Sequence, residues 1–157
     1  MFSHVMLGTN DIEESRKFYD ELFDVLGARP GRMYPSRTGE KRYFYNFKDT
    51  SFAISEPIDG NPATVANGGT IGFNVESIEQ GDAWHKAGIE NGGTSIEEAP
   101  GIRDYGKFIM YLAYLRAYSY LDDRIYQFIY GIIILSVIAI TFSRYDVIVK
   151  IRKSLNI

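Results

Sequence analysis

The sequence predicts an α+β fold made of two βαβββ-like copies, followed by an atypical apolar C-terminal segment. Three observations carry this. The first 116 residues read twice at an offset of about 66 positions. Each copy opens with a short apolar run, a helix-capping pattern and an amphipathic stretch closed by glycine. After Arg116 the composition turns abruptly to an Ile-rich stretch almost without charge.

The repeat rests on consistency of offset more than on identity. Ser77-Ile78-Glu79-Gln80 repeats the helix start Asp11-Ile12-Glu13-Glu14, and Val5 and Leu7 correspond to Ile71 and Phe73. Downstream, Phe18 corresponds to Trp84, Gly27 to Gly93, and Lys41 and Tyr45 to Lys107 and Tyr111. Two copies of one supersecondary unit imply a pseudo-symmetric fold. The same offset pairs His4 with Thr70.

In chain order, Phe2–Gly8 is an apolar run rich in β-formers. Asp11 or Asn10 caps the helix that follows, with Glu14 completing a capping box from Asp11. Ile12, Phe18/Tyr19, Leu22/Phe23 and Leu26 recur every three to four residues as one buried stripe. Glu13–Lys17 and Arg16–Asp20 support the outer face, each worth about 0.2–0.5 kcal/mol. Gly27 closes the helix. Strands are expected over Arg29–Arg37, Lys41–Phe47 and Ser51–Glu56, with turns at Thr38-Gly39-Glu40 and Lys48-Asp49-Thr50. Pro57–Gly69 reads as a linker. Copy two then runs strand Thr70–Val75, helix Ile78–Asn91, Gly92-Gly93, strand Thr94–Glu98 and strand Lys107–Leu115. Gly81 weakens that helix by about 1 kcal/mol relative to Ala, so it depends on packing around Trp84. The expected divisions are residues 1–56, a linker 57–69, an incomplete second module 70–121 and an apolar extension 122–157.

Composition narrows the function. A hydrophobic content of 45% and an aromatic content of 15% suffice for a packed core. The net charge of −3 gives no basic surface for nucleic acid. The absence of cysteine removes disulfides, thiolate zinc sites and thiol nucleophiles. The N-terminus lacks the basic and apolar regions of a secretory signal, so a cytoplasmic location is expected, with a C-terminal membrane anchor as the alternative. No Gly-rich phosphate loop, nucleophile elbow or Ser/His/Asp arrangement is present.

The opening, Ser3-His4-Val5-Met6-Leu7-Gly8-Thr9-Asn10-Asp11-Ile12-Glu13-Glu14-Ser15-Arg16-Lys17-Phe18-Tyr19, resembles the vicinal oxygen chelate superfamily of glyoxalase I, bleomycin- and fosfomycin-resistance proteins and extradiol dioxygenases. Ala83-Trp84-His85-Lys86-Ala87-Gly88 and Gly92-Gly93-Thr94 look like the second helix of its glyoxalase-like branch. The resemblance covers residues 1–116. It implies paired βαβββ modules forming a curved, cup-like mixed sheet with two outer helices, the pair enclosing a small-molecule site. It says little about the reaction, because many chemistries share the scaffold.

Members of that superfamily that use a metal draw ligands from the first strand and a late strand of each copy. His4 matches the first position, and Glu56 is the carboxylate near the second. Thr70 stands where copy two would supply an imidazole. The turn that normally precedes the fourth position is missing, since Leu115-Arg116 runs straight into Ala117-Tyr118-Ser119. The resemblance therefore implies no assured cofactor, a divalent metal being the candidate, with His4 and Glu56 as its ligands. The competing reading of His4 is a strand residue satisfied by a local hydrogen bond. Tyr45, Thr70 and Tyr111 are candidates for the wall of the cup, as are Tyr43 and Tyr114, although aromatic strands are usually core. His85 is expected near the helix–sheet boundary without chemistry, and the Glu97-Glu98 pair is expected in solvent.

Ile125–Phe142 is an 18-residue stretch without charge, at the lower limit for spanning a bilayer. Three readings stay open for the tail: a membrane anchor through 125–142, a buried element that replaces the missing last strand or docks on another chain, or foreign sequence. Self-association through 117–157 is slightly favoured over membrane, because a long strand that cannot fold back leaves an unpaired edge. The leading function is a glyoxalase/bleomycin-resistance-like protein binding a small molecule in the cup without a complete metal site. A metal-dependent lyase, isomerase or resistance transferase using His4 is the second reading. A degenerate or membrane-tethered structural protein is the third.

Overall fold

A computed structural model describes residues 2–64 and 68–117, together with the backbone of 146–152. Copy one comprises β1 (His4–Gly8), α1 (Ile12–Asp24), β2 (Arg32–Met33), β3 (Arg42–Asn46) and β4 (Ser51–Ser55). Copy two comprises β5 (Thr70–Asn74), α2 (Ile78–Glu90), β6 (Thr94–Ser95), β7 (Gly101–Asp104), β8 (Ile109–Arg116) and β9 (Asp146–Arg152). First strand and helix keep the 66-residue offset at both ends. The sheets are β1-β4-β3-β2 and β5-β9-β8-β6, with β7 also on β8. Each first strand pairs in parallel with the last strand of its own copy, His4 against Ser51 and Thr70 against Asp146. These are the two helices and mixed curved sheets that the family resemblance implies.

Both helices begin as the capping patterns require. The Asp11 carboxylate accepts from the Glu14 N–H at 3.0 Å, and the Ser77 hydroxyl accepts from the Gln80 N–H at 3.1 Å, each satisfying a donor the helix leaves unpaired. Gln80 does more. Its Oε1 accepts from the Glu76 N–H, and its Nε2 donates to the Val25 carbonyl, joining the start of α2 to the end of α1.

One continuous core runs under both helices. Phe23 is fully buried, and its ring meets those of Tyr19, Tyr45, Phe47, Phe52 and Phe73 at centroid distances of 5.0–5.4 Å. Phe73 belongs to β5, so this cluster fastens the two copies together. Helix α2 buries Gly81, Trp84 and Gly88 along one face. A Cβ on Gly81 would lie 2.5 Å from the Tyr111 ring, and one on Gly88 would lie 2.2 Å from Leu115. The glycines that lower the helix propensity of α2 are thus what allows it to sit close on β8.

Several strands differ from the expected spans. β2 is confined to two residues because Pro30 and Pro35 flank it and offer no N–H to a ladder. β6 stops early, with Glu97 at φ 58°. β7 falls in a stretch read as loop. Its signal was the hairpin turn after it, where the Asp104 carboxylate accepts from the Gly106 N–H and Gly106 takes φ 75°. β9 holds, in copy two, the place β4 holds in copy one. Strand β8 is therefore paired on both edges, by β9 on one and by β6 and β7 on the other, so the unpaired edge expected of this strand is not present. Residues 118–145, with the apolar stretch 125–142 and the boundary at 121/122, lie outside the described residues. Among the described residues no helix is long and apolar enough to cross a membrane.

Gly81→Ala tests the packing. In a free helix this change stabilises by about 1 kcal/mol. Here the methyl group collides with a ring held in place, and overpacking typically costs about 1–3 kcal/mol. Urea denaturation of the full chain should show a lower midpoint than wild type; a raised midpoint would mean that α2 and β8 are not in close contact.

Candidate functional site

Strand periodicity divides the first sheet into two faces of different character. Val5, Leu7, Tyr43, Tyr45, Phe52 and Ile54 face the helices and join the core. The opposite face is the cup face. Register sets its side chains in rows: His4, Ser51 and Asn46 in one; Met6, Ala53, Phe44 and Arg32 in the next; Gly8, Ser55 and Arg42 in the third. An apolar centre thus lies between two polar rows.

The polar groups are held locally. The Ser51 hydroxyl donates to Asn46 Oδ1 at 2.8 Å, and Arg42 Nε donates to the Ser55 hydroxyl at 3.3 Å. The Tyr34 ring meets Phe44 at 5.8 Å, and the Arg32 guanidinium lies over the Tyr34 ring at 5.2 Å. Because Pro30 cannot extend the ladder, the chain peels away from β3 before Arg32. The result is a cleft of about 410 Å³ lined by Arg29, Pro30, Gly31, Arg32, Phe44 and Asn46. Asp20 supports its wall from behind, its Oδ1 accepting from the Gly31 N–H at 2.8 Å and its Oδ2 from Arg16 Nε at 3.2 Å.

A second cleft, about 330 Å³, lies between the copies and has mainly apolar walls, including Phe2, Val5, Leu26, Phe47, Ile71 and Phe73. On the cup face of copy two, Thr70, Gly72 and Asn74 alternate with the core residues Ile71 and Phe73, and Met110, Leu112 and Tyr114 alternate with Tyr111, Ala113 and Leu115. Arg103, also on this face, is paired with Glu98 at 3.0 Å.

The residues singled out from sequence are dispersed. His4 is exposed at the start of β1, with Nδ1 3.0 Å from the Ser3 hydroxyl, the local hydrogen bond of the competing reading. Thr70 is its exposed equivalent on β5. Glu56 follows β4 at the far end from His4, since His4 is opposite Ser51 and Gly8 opposite Ser55. Four strand residues at about 3.3 Å each place the two ends about 13 Å apart. Glu56 instead accepts from the Lys41 N–H at 2.7 Å.

Tyr45 and Tyr111 lie on the helix side of their sheets, 0% and 4% exposed. The Tyr45 hydroxyl donates to the Arg16 carbonyl at 3.2 Å and the Tyr111 hydroxyl to Asp82 Oδ1 at 2.6 Å. Residues 16 and 82 are themselves one repeat apart, so the two tyrosines are equivalent anchors of sheet to helix. Burial above all, with Asp20 beside Tyr45 and Asp82 on Tyr111, pushes both phenols far up from their ordinary value, which keeps them hydrogen-bond donors. His85 meets Ser95 at 3.0 Å, and burial lowers its pKa.

Sequence reasoning missed Arg29, Arg32, Phe44 and Asn46. The signal available was Pro30-Gly31 between two arginines, at the point where a long strand was expected.

A metal is the cofactor that the resemblance brings with it. Among the described residues no three His, Cys, Asp or Glu side chains converge, and His4 and Glu56 stand at opposite ends of their strands. These donors do not fit a shared ion. Equilibrated in turn with Ni²⁺, Zn²⁺, Mn²⁺ and Fe²⁺ and then desalted, the full chain is expected to retain no stoichiometric metal. One ion per chain, lost in His4→Ala, would place a metal centre on β1 after all.

Comparison with known proteins gives a consistent family. Residues 1–114 match the model of the Glyoxalase/Bleomycin resistance protein/Dioxygenase superfamily. The crystal structure of a glyoxalase/bleomycin resistance protein from Albidiferax ferrireducens T118 is 41% identical, with a TM-score of 0.72 over 97% of this chain and 99% of that one. A glyoxalase/bleomycin resistance protein/dioxygenase family enzyme from Burkholderia phytofirmans PsJN is 15% identical, with a TM-score of 0.58 over 96% and 98%. A lactoylglutathione lyase from Agrobacterium tumefaciens is 14% identical, with a TM-score of 0.54 over 100% and 97%. The last two share the fold alone. No curated protein matches the chain.

Proposed function

From a chain that belongs to the glyoxalase/bleomycin resistance protein/dioxygenase superfamily, we propose a protein that binds a small organic molecule on the cup face of its first module, without requiring a metal. One observation carries this reading: the row of Met6, Ala53 and Phe44 forms an apolar floor between two polar rows and opens into the 410 Å³ cleft. Ligand sites are typically concave, about 300–1,000 Å³, with apolar walls and a few placed polar groups. The helix-facing side has no such room, because its side chains fill the core.

The second reading, a metal-dependent lyase, isomerase or resistance transferase, needs His4 to share an ion with Glu56 or with a ligand from elsewhere. The parallel register of β1 and β4 argues against the first pairing, so no chemical step is routed through a metal. The ligands of the family's titles, S-lactoylglutathione and bleomycin, belong in any screen alongside small aromatic fragments.

Saturation-transfer NMR with such a set tests the reading on the full chain. Ligands of the wild type should lose about tenfold or more in affinity in Phe44→Ala, the scale expected when an aromatic floor is removed from a small site. Circular dichroism should show the variant folded. Ligands that bind Phe44→Ala as well as wild type, or a wild type that binds nothing, would contradict the assignment.

A further inference from the structure

We infer that the cleft beside β2 is a subsite for an organic anion, a carboxylate or phosphoryl group attached to a flat apolar body. This rests on the cup-face reading above and narrows it to a ligand class.

The charge pattern points there. The chain carries a net charge of −3, yet two arginines line one cleft, and among the described residues neither Arg29 nor Arg32 has a carboxylate within ion-pair distance. Arg16 pairs with Asp20 and Glu13, and Arg103, on the cup face of copy two, pairs with Glu98; Arg37 and Arg42 also lack an ion pair among the described residues, but it is Arg29 and Arg32 that line one cleft together. Asp20, which supports the loop, is engaged by the Gly31 N–H and by Arg16.

The remaining groups complement the two cations. Arg32 lies over the Tyr34 ring, which holds its planar fork in one orientation and favours a two-point contact with a carboxylate or phosphoryl group. Asn46 accepts the Ser51 hydroxyl at its Oδ1, which turns its NH₂ into the available donor. Phe44 lies between Asn46 and Arg32 on this face and lines the same cleft. Two guanidinium groups, one amide donor and one aromatic surface form a site for an anion with a flat body.

Matched probes test this on the full chain by titration calorimetry: benzoate, phenylphosphonate, neutral benzamide and inorganic phosphate. Benzoate or phenylphosphonate should bind about tenfold or more tightly than benzamide, a ratio typical of charge-assisted hydrogen bonds. Arg29→Ala and Arg32→Ala should each erase that advantage while leaving benzamide unchanged, Arg32→Lys should restore part of it, and Phe44→Ala should weaken all three aromatic probes. The stronger of the two anions identifies carboxylate or phosphoryl as the preferred group. Equal binding of benzoate, phenylphosphonate and benzamide, still lost in Phe44→Ala, would overturn the anion subsite and leave the cup-face reading standing. Inorganic phosphate matching phenylphosphonate, with no effect of Phe44→Ala, would reduce the site to charge attraction and overturn the organic ligand. No binding of any probe would overturn the subsite and count against the cup face as well.

Discussion

The aromatic cluster around Phe23 is the contact on which the rest depends. Phe23 is fully buried at the end of α1 and touches rings from β3, β4 and β5. Removing such a ring typically costs about 3–5 kcal/mol, and here it would open the seam between the copies as well as the core of one. Tyr45 and Tyr111 reinforce the arrangement by fastening each sheet to its own helix at equivalent positions. The strand side chains used in this way are all taken from the helix-facing side of their sheets. The alternation of strands then leaves the other face free for a ligand.

The cup face owes its shape to a backbone defect. A full-length β2 would have covered β3 down to Asn46. Pro30 prevents that, and Gly31 allows the chain to pass the Tyr45 ring, where a Cβ would lie 2.7 Å away. The cleft, its two arginines and its aromatic floor all follow from where that strand begins. In copy two, the cup-face Arg103 is paired with Glu98. The proposed ligand site thus rests on features of the first copy, Pro30-Gly31 and the arginines beside them.

The repeat was legible because it lies in features a sequence displays directly: caps at Asp11 and Ser77, the stripe through Phe18 and Trp84, and the alternation of Val5/Leu7 with Ile71/Phe73. The site was much less legible. Period two groups Tyr43 with Tyr45, but it cannot say which face meets the helix, so Tyr45 and Tyr111 were equally compatible with cup and core. Glu56 is near the family's ligand position in sequence, and only the parallel register of β1 and β4 sets it at the other end from His4. Arg29 and Arg32 carry no motif. Their meaning comes from the carboxylates they lack, which is a property of the folded surface. A last strand supplied by the tail is one of the readings the sequence leaves open, but which residues form it is beyond any local pattern: the partners of β9 lie 76 and about 36 positions upstream.

The proposed ligand face is the helix-free side of the first module rather than the apolar cleft between the copies. Two-dimensional ¹H–¹⁵N and methyl NMR during a phenylphosphonate titration separates these directly. Shift changes are expected at Met6, Arg32, Phe44 and Asn46, with Leu26, Ile71 and Phe73 unmoved. Changes concentrated at Leu26, Ile71 and Phe73, with Phe44 and Asn46 silent, would contradict it and move the site to the seam.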